Sequence, residues 1–141
     1  MMRLIPLGGL GEIGLNMMLV ESDGSRIIVD AGLMFPEDYM LGVDYVIPDM
    51  SYLRPYKDGV HGIVLTHAHE DHIGALPFLL KHVDAPVFGT PFTLGMVRQK
   101  LEEFEVTAPA GLHTIVPGQP LSLGPFALDF IRVGHSVVDG I

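Results

Sequence analysis

The residues that could do chemistry are concentrated in one segment, Thr66-His67-Ala68-His69-Glu70-Asp71-His72, which carries three imidazoles and two carboxylates. His67 and His69 are two residues apart, so on an extended backbone both rings project to the same side and can reach one cation. Asp71 and His72 follow the expected turn into a helix, so they are displaced along the site and can bind a second cation. The spacing therefore predicts a pair of metal ions.

Two neighbouring cations indicate a type of reaction. Metal ions about 3.5–4 Å apart stabilise charge on both the attacking and the leaving oxygen, which suits hydrolysis. The chain contains no cysteine, which excludes disulfides and thiolate ligands. Histidine and carboxylate donors suit zinc, manganese or iron. We expect two divalent ions, with zinc as the first candidate and manganese as the second.

Each of these residues also has a simpler structural interpretation. Asp71 could be the N-cap of the following helix, and Asp30, which stands just before Ala31-Gly32, could simply form a turn. Glu70 is expected to face solvent or to support a ligand. The combined His-x-His-x-Asp-His pattern is more specific than its parts, so we adopt the metal interpretation. The histidines that match no such pattern are assigned no chemistry: His61, His82 and His113.

Composition sets the class of protein. The chain has 141 residues, 48% of them hydrophobic, with 17 Gly and 11 Pro, which is typical of one folded, turn-rich domain. The formal charge of −9 argues against a surface that binds nucleic acid by neutralising phosphates, but two divalent ions would reverse that sign locally. Because no apolar run is long enough for a membrane span and no secretory signal is evident, we expect a cytoplasmic protein without membrane contact.

Hydrophobic patterning predicts an α/β domain in which strands are interleaved with helices. Strands are expected at residues 3–6, 15–21, 25–29, 62–65, 86–88, 112–116 and 126–133, the last ending at Gly134-His135. Helices are expected at residues 73–82 and about 92–104. Residues 33–58 are expected to form a long loop with one helical turn near residues 50–53.

A glycine-rich segment at residues 8–14 suggests two structures. A dinucleotide-binding loop would require a helix to follow it, whereas residues 16–20 have an extended pattern. A tight turn between two strands is therefore the favoured interpretation. Asp23-Gly24 is a second turn signal and predicts a hairpin.

The histidine-rich segment resembles the second motif of the metallo-β-lactamase superfamily, whose fold is an αβ/βα sandwich with a di-metal site at one edge. The resemblance implies that Asp30 belongs to the first motif and orients ligands without binding metal. It also implies that His135 belongs to the third motif and completes the first metal site. The expected catalytic residues are Asp30 and Asp71, and the expected metal ligands are His67, His69, Asp71, His72 and His135.

Residues 8–14, 30–37 and 69–77 resemble the ribonuclease J family, and the resemblance extends over nearly the whole chain. It implies 5′-to-3′ exonuclease and endonuclease activity on single-stranded RNA, a role in RNA processing and decay that includes rRNA, and a homo-oligomeric intact protein. Residues 1–141 would then be a partial metallo-β-lactamase domain. A β-CASP insertion, a bridging Asp and a later His ligand would lie elsewhere, and we expect the isolated chain to be inactive.

Two departures from the family pattern are visible: Leu15 replaces a frequent Lys, and Val138 replaces a usual Pro. Two other functions remain open. The chain could belong to a metallo-β-lactamase-fold hydrolase of a small ester or thioester, or it could be a non-catalytic metal-binding scaffold.

Overall fold

A computed structural model describes residues 1–56 and 59–141 and has a mixed six-stranded sheet at its centre. The strands lie side by side in the order of the sequence: β1 (Met2–Gly8), β2 (Met17–Ser22), β3 (Ser25–Val29), β4 (Val60–Val64), β5 (Val87–Gly89) and β6 (Leu112–Thr114). β1, β2 and β3 form an antiparallel meander, and β3 to β6 run parallel. These six strands overlap the predicted runs.

The turns between the first three strands follow their sequence signals. Asp23 and Gly24 have φ angles of 47° and 84°, as a two-residue hairpin requires, and Ser22 pairs with Ser25. The glycine-rich segment links β1 to β2, and Gly9 and Gly14 have φ angles of 86° and 102°. No helix follows this segment, so the dinucleotide-loop hypothesis is wrong.

The helix predicted over residues 73–82 is wrong in its bounds and its continuity. The structure has two short helices there, α1 (Glu70–Ile73) and α2 (Leu76–Leu79). The NH of Ala75 donates to the carbonyl of Ala31 at 2.7 Å, while the carbonyl of Asp71 accepts from the NH of Asn16 at 3.1 Å. Neighbouring segments thus take the two groups that a continuous helix would join to each other.

Two other helical segments agree with expectation. α3 (Pro91–Glu103) begins with proline at its first position, where no intrahelical donor is needed. A 3-10 helix, Met50–Tyr56, replaces the single turn expected in the long loop, and an isolated bridge joins Met34 to Val46. The last two residues of that predicted loop, 57 and 58, lie outside the described part of the chain.

The final strands are shorter than predicted. The strand expected over residues 112–116 ends at Thr114, and the strand expected over 126–133 ends with β8 (Phe126–Leu128). β8 pairs with β7 (Leu121–Leu123), which was not predicted. Pro120 precedes β7 and has no NH to donate, so the ladder cannot continue. His135 consequently lies on an irregular segment, not at a strand end.

The sheet separates two apolar clusters. The larger contains Leu19, Ile63, Leu76 and Leu94 and packs the helices against one face. The smaller contains Phe88, Phe126 and Phe130 and packs the β7–β8 hairpin against the other. Both clusters leave the carboxyl ends of β3 and β4 open, which is where ligand sites form in parallel sheets. Within residues 1–56 and 59–141, every helix is too short or too polar to cross a bilayer.

Candidate metal centre

Three histidines predicted to share a metal ion lie together. His67 follows β4 and is 7% exposed, His69 is half-buried, and His135 is exposed on the segment after β8. One ring nitrogen of each lies within 4.8 Å of those of the other two. Nε2 of His67 and Nδ1 of His69 are 3.1 Å apart.

These donors fit a divalent metal ion. In a tetrahedral zinc site with bonds of about 2.0–2.1 Å, two ligand nitrogens are about 3.3 Å apart. The separation of 3.1 Å between His67 and His69 is close to that value. The ring nitrogens of all three residues, His135 included, lie within 4.8 Å of one another, so the three can share one ion.

Asp71 and His72 form a second pair of donors beside the three histidines. Oδ2 of Asp71 lies 3.6 Å from Nε2 of His72, and the rings of His67 and His72 are 4.0 Å apart between centroids. The N-cap of α1 is His69, so the hypothesis that Asp71 caps the helix is wrong. The carboxylate of Asp71 thus remains available to a ligand.

Asp30 lies beneath both groups of donors. It is buried and its φ angle is 61°, a left-handed conformation that Asp tolerates better than most residues. Its Oδ2 accepts from Nδ1 of His72 at 2.8 Å, and its Oδ1 accepts from the NH of Thr66 at 2.8 Å. With Nδ1 of His72 facing Asp30, Nε2 is the nitrogen that faces Asp71.

Thr66 was not given a role by sequence reasoning. Its Oγ1 lies 2.9 Å from Oδ2 of Asp30 and 3.0 Å from Nδ1 of His67. The network assigns the hydroxyl proton to Asp30 and the Nδ1 proton of His67 to Oγ1. Nε2 of His67 is then the unprotonated nitrogen that faces His69. The only sequence signal for Thr66 is its position next to His67.

His67 and His72 differ in basicity. Burial lowers the pKa of His67 to about 4, and repulsion from His72 and His135 adds to the effect. Burial also lowers the pKa of His72, but the hydrogen bond to Asp30 and the charges of Asp30 and Asp71 outweigh it, so that pKa is raised. His67 is therefore neutral at pH 7 and has a lone pair available for a metal.

Two main-chain segments hold the turn that carries Asp71. Asn16 donates its NH to the carbonyl of Asp71 at 3.1 Å, and Ala31 donates to the carbonyl of His72 at 2.7 Å. Gly32 lies so close that a Cβ atom there would be 1.6 Å from the carbonyl oxygen of Asp71. Sequence reasoning missed Asn16 because its contact spans 55 residues.

Glu70 is partly exposed and contacts a cation. Nζ of Lys100, near the end of α3, lies 2.8 Å from its Oε2. The pair joins α3 to the turn between His69 and Asp71. A cleft of about 400 Å³ is lined by Glu70 and Asp71. Its apolar walls include Ile13, Met34 and the exposed Phe35.

The histidines without a predicted role are outside the cluster. His113 stacks on Phe88 with ring centroids 5.2 Å apart, and the side chains of His61 and His82 are exposed on the surface. The structure thus separates the seven histidines of the chain into a group around the turn at residues 66–72 and three others elsewhere.

Similarity to known proteins agrees with the family expected from the sequence motifs. The sequence profile of the Metallo-beta-lactamase superfamily matches residues 10–137. The chain is 46% identical over 138 residues to ribonuclease J of Helicobacter pylori strain ATCC 700392 / 26695, covering 97% of this chain and 20% of that protein. It is 41% identical over 139 residues to ribonuclease J 2 of Staphylococcus aureus strain NCTC 8325, covering 99% of this chain and 25% of that protein.

Among solved structures, the metallo-beta-lactamase fold protein YhfI from Bacillus subtilis superposes with a TM-score of 0.63 at 23% identity. The match covers 96% of this chain and 54% of YhfI. At that identity the likeness concerns the fold alone. The chain spans a quarter or less of the length of the two ribonuclease J relatives.

Proposed function

Because this chain belongs to the metallo-β-lactamase superfamily, we propose that it carries the metal-binding turn of an enzyme that hydrolyses RNA phosphodiester bonds. Homology to ribonuclease J supports a hydrolase of the nuclease type. The observation that carries the proposal is the three-histidine group lying directly beside the Asp71–His72 pair. Two adjacent donor sets are what a two-metal hydrolase requires.

Each donor residue has one task in the proposed function. His67, His69 and His135 would hold one ion, and Asp71 and His72 would contribute to the other. Zinc is the first candidate for both ions and manganese the second, because imidazole and carboxylate donors accept either. When bound, the ions supply positive charge that stabilises the attacking and leaving oxygens of the phosphodiester.

Asp30 acts in this proposal without touching a metal ion. It keeps the Nδ1 proton of His72 in place and, through Thr66, that of His67. Both rings then present Nε2 to their ions, as outer hydrogen-bond partners of metal ligands commonly ensure. Asp30 and Asp71 are therefore the two carboxylates on which activity should depend most strongly.

RNA as the substrate fits the cleft beside Asp71. A nucleobase has an apolar face that stacks on aromatic side chains, and Phe35 is 62% exposed on the wall of this cleft. The phosphate would then face the bound ions, whose charge offsets the net charge of −9 on the chain.

Several parts of the proposal concern a protein longer than this chain, since the match covers only 20% of the Helicobacter relative. They are the 5′-to-3′ exonuclease and endonuclease activities, RNA processing, the β-CASP insertion, homo-oligomer formation and a cytoplasmic location. We assign two of this chain's donors to the second ion, fewer than the three protein ligands usual in catalytic zinc sites. The 141-residue chain is therefore expected to be inactive by itself.

Metal binding can be tested on the chain itself. Zinc should raise the melting temperature of wild type, because a ligand that binds the folded state stabilises it by about 2.7 kcal/mol at 100 times its Kd. His67→Ala should lose most of this effect. His82→Ala, which removes an exposed histidine outside the site, should retain it. A wild type that binds no divalent ion would contradict the proposed metal site.

The substrate is tested with the whole protein that contains this chain. Hydrolysis of 5′-monophosphorylated RNA should be abolished by chelator and by His67→Ala, and retained in His82→Ala. The same samples should be offered a small thioester and a small ester. Cleavage of those substrates without cleavage of RNA would replace the proposed function by that of a small-molecule hydrolase.

A further inference from the structure

The side-chain amide of Asn16 is directed at the pair of donors assigned to the second ion. Nδ2 lies 3.0 Å from the carbonyl oxygen of Asp71 and 3.2 Å from its Oδ2. The same nitrogen lies 3.3 Å from Nε2 of His72. Asn16 thus contacts both donor atoms of the pair, which are themselves 3.6 Å apart.

The main chain fixes Asn16 in this position. Its NH donates to the carbonyl of Asp71 at 3.1 Å, and its carbonyl accepts from the NH of Gly32 at 2.9 Å. The preceding residue, Leu15, has a φ angle of 57°, a conformation that a leucine adopts only when its surroundings require it. The hydrogen bonds with Asp71 and Gly32 fix the main chain of Asn16, and this directs its side-chain amide towards Asp71.

We propose that Asn16 is a positioning residue that holds the carboxylate of Asp71 facing Nε2 of His72 for the second metal ion. The role rests on the proposed two-metal function. An amide NH2 has two protons, which are shared among three acceptors: the main-chain and side-chain oxygens of Asp71 and Nε2 of His72. The carboxylate oxygen keeps a further lone pair for the cation.

The contact between Asn16 and His72 should respond differently when the second ion binds. Nε2 of a neutral imidazole has a single lone pair, so it can face either the amide of Asn16 or a cation. Binding of the second ion therefore ends this contact while leaving the contacts with Asp71 in place. The amide of Asn16 should change its environment when the second ion binds, and only then.

Asn16 is the only asparagine in the chain, which makes a direct measurement available. Protein labelled with ¹⁵N in asparagine side chains gives one pair of amide proton signals. During a zinc titration of the 141-residue chain, the first equivalent should leave these signals nearly unchanged and the second should shift them. Signals that ignore the second equivalent would overturn the role of Asn16.

Variants provide the second readout. Asn16→Ala removes the donor, and Asn16→Asp keeps the shape but presents oxygen to the oxygens of Asp71. Both should weaken zinc binding in the second calorimetric step roughly tenfold or more, with the first step unchanged. Gln119→Ala, which removes an exposed carboxamide, should match wild type in both steps.

The outcomes separate this inference from the function on which it rests. If wild type binds two equivalents and both variants bind the second with wild-type affinity, the inference is wrong and the two-metal function stands. A variant that melts at a lower temperature yet keeps its second-step affinity would make Asn16 a purely structural residue. If wild type binds one equivalent only, the role of Asn16 in this chain is wrong, whereas the two-metal function of the longer protein is decided by the RNA hydrolysis assay.

Discussion

Nδ1 of His72 lies 2.8 Å from Oδ2 of Asp30, and the same carboxylate oxygen accepts from the hydroxyl of Thr66 at 2.9 Å. Thr66 in turn contacts Nδ1 of His67 at 3.0 Å. One buried carboxylate is thereby connected to an imidazole in each of the two donor sets. A change at Asp30 should accordingly affect both metal ions.

Asp30→Asn tests this connection. Asparagine tolerates the left-handed backbone at this position and preserves the size of the side chain, but it removes the negative charge. Without a charged acceptor at Nδ1, zinc affinity in the step assigned to Asp71 and His72 should fall roughly 10–100-fold. Calorimetric titration measures this, with the exposed Asp84→Asn as control. Wild-type affinity for both ions in Asp30→Asn would contradict the prediction.

Gly32→Ala should be destabilising because of its main-chain neighbour. A Cβ atom would lie 1.6 Å from the carbonyl oxygen of Asp71, so the turn carrying that residue has to move. We expect a loss of about 3 kcal/mol in the free energy of unfolding, the upper part of the usual range for overpacking. Urea unfolding with chelator present measures this loss separately from metal binding.

The matched control is Gly95→Ala in α3, where an added Cβ meets no atom within 4 Å. Alanine is preferred over glycine in a helix interior by about 1 kcal/mol, so this variant should be more stable than wild type. If the two variants changed stability by the same amount in the same direction, close approach at Gly32 would not be the cause.

Local patterns and the family resemblance were sufficient to predict the fold, and local spacing was sufficient to predict that His67 and His69 lie together. The metallo-β-lactamase fold expected from the motifs is confirmed. The alternation along β2 and the Asp23-Gly24 turn depend on neighbouring residues only, so their bounds are nearly as predicted. His67 and His69 come together because they are adjacent on one extended segment.

Interactions between distant segments could not be predicted from one sequence. The break between α1 and α2 depends on a hydrogen bond from Ala75 to Ala31, and the early end of β8 depends on which residues precede its partner. Asn16 reaches Asp71 because the loop between β1 and β2 packs against the turn at residues 69–72. Each of these features requires knowledge of which segments become neighbours.

The depressed pKa of His67 predicts a pH effect on the metal-free chain. The pKa is about 4 in the folded state against 6.5 as the ordinary value, so the unfolded chain binds a proton first as pH falls. His67 therefore contributes its full stability above pH 6.5 and loses that contribution as pH falls from 6.5 towards 4. With chelator present, wild type should lose stability relative to His67→Gln over this window, as measured by urea unfolding. A difference between the two proteins that does not vary with pH would contradict the assigned pKa.

The ion pair between Lys100 and Glu70 should stabilise the turn at residues 69–72. Nζ lies 2.8 Å from Oε2, and the Lys100 side chain is 13% exposed while that of Glu70 is 41% exposed. A double-mutant cycle with Lys100→Met and Glu70→Gln should give a coupling of about 0.5–1 kcal/mol, the upper part of the range for accessible pairs. Methionine keeps the apolar stem of the lysine, so the cycle isolates the charge.

A second ion pair in the chain is the control for this cycle. Nη1 of Arg132 lies 2.7 Å from Oδ1 of Asp139, but the arginine side chain is 61% exposed. The cycle with Arg132→Met and Asp139→Asn should therefore give a smaller coupling, because water screens an exposed pair more strongly. Equal couplings would mean that burial of Lys100 does not strengthen its interaction with Glu70. A larger coupling at Glu70 would show that α3 helps to hold the turn between His69 and Asp71 in place.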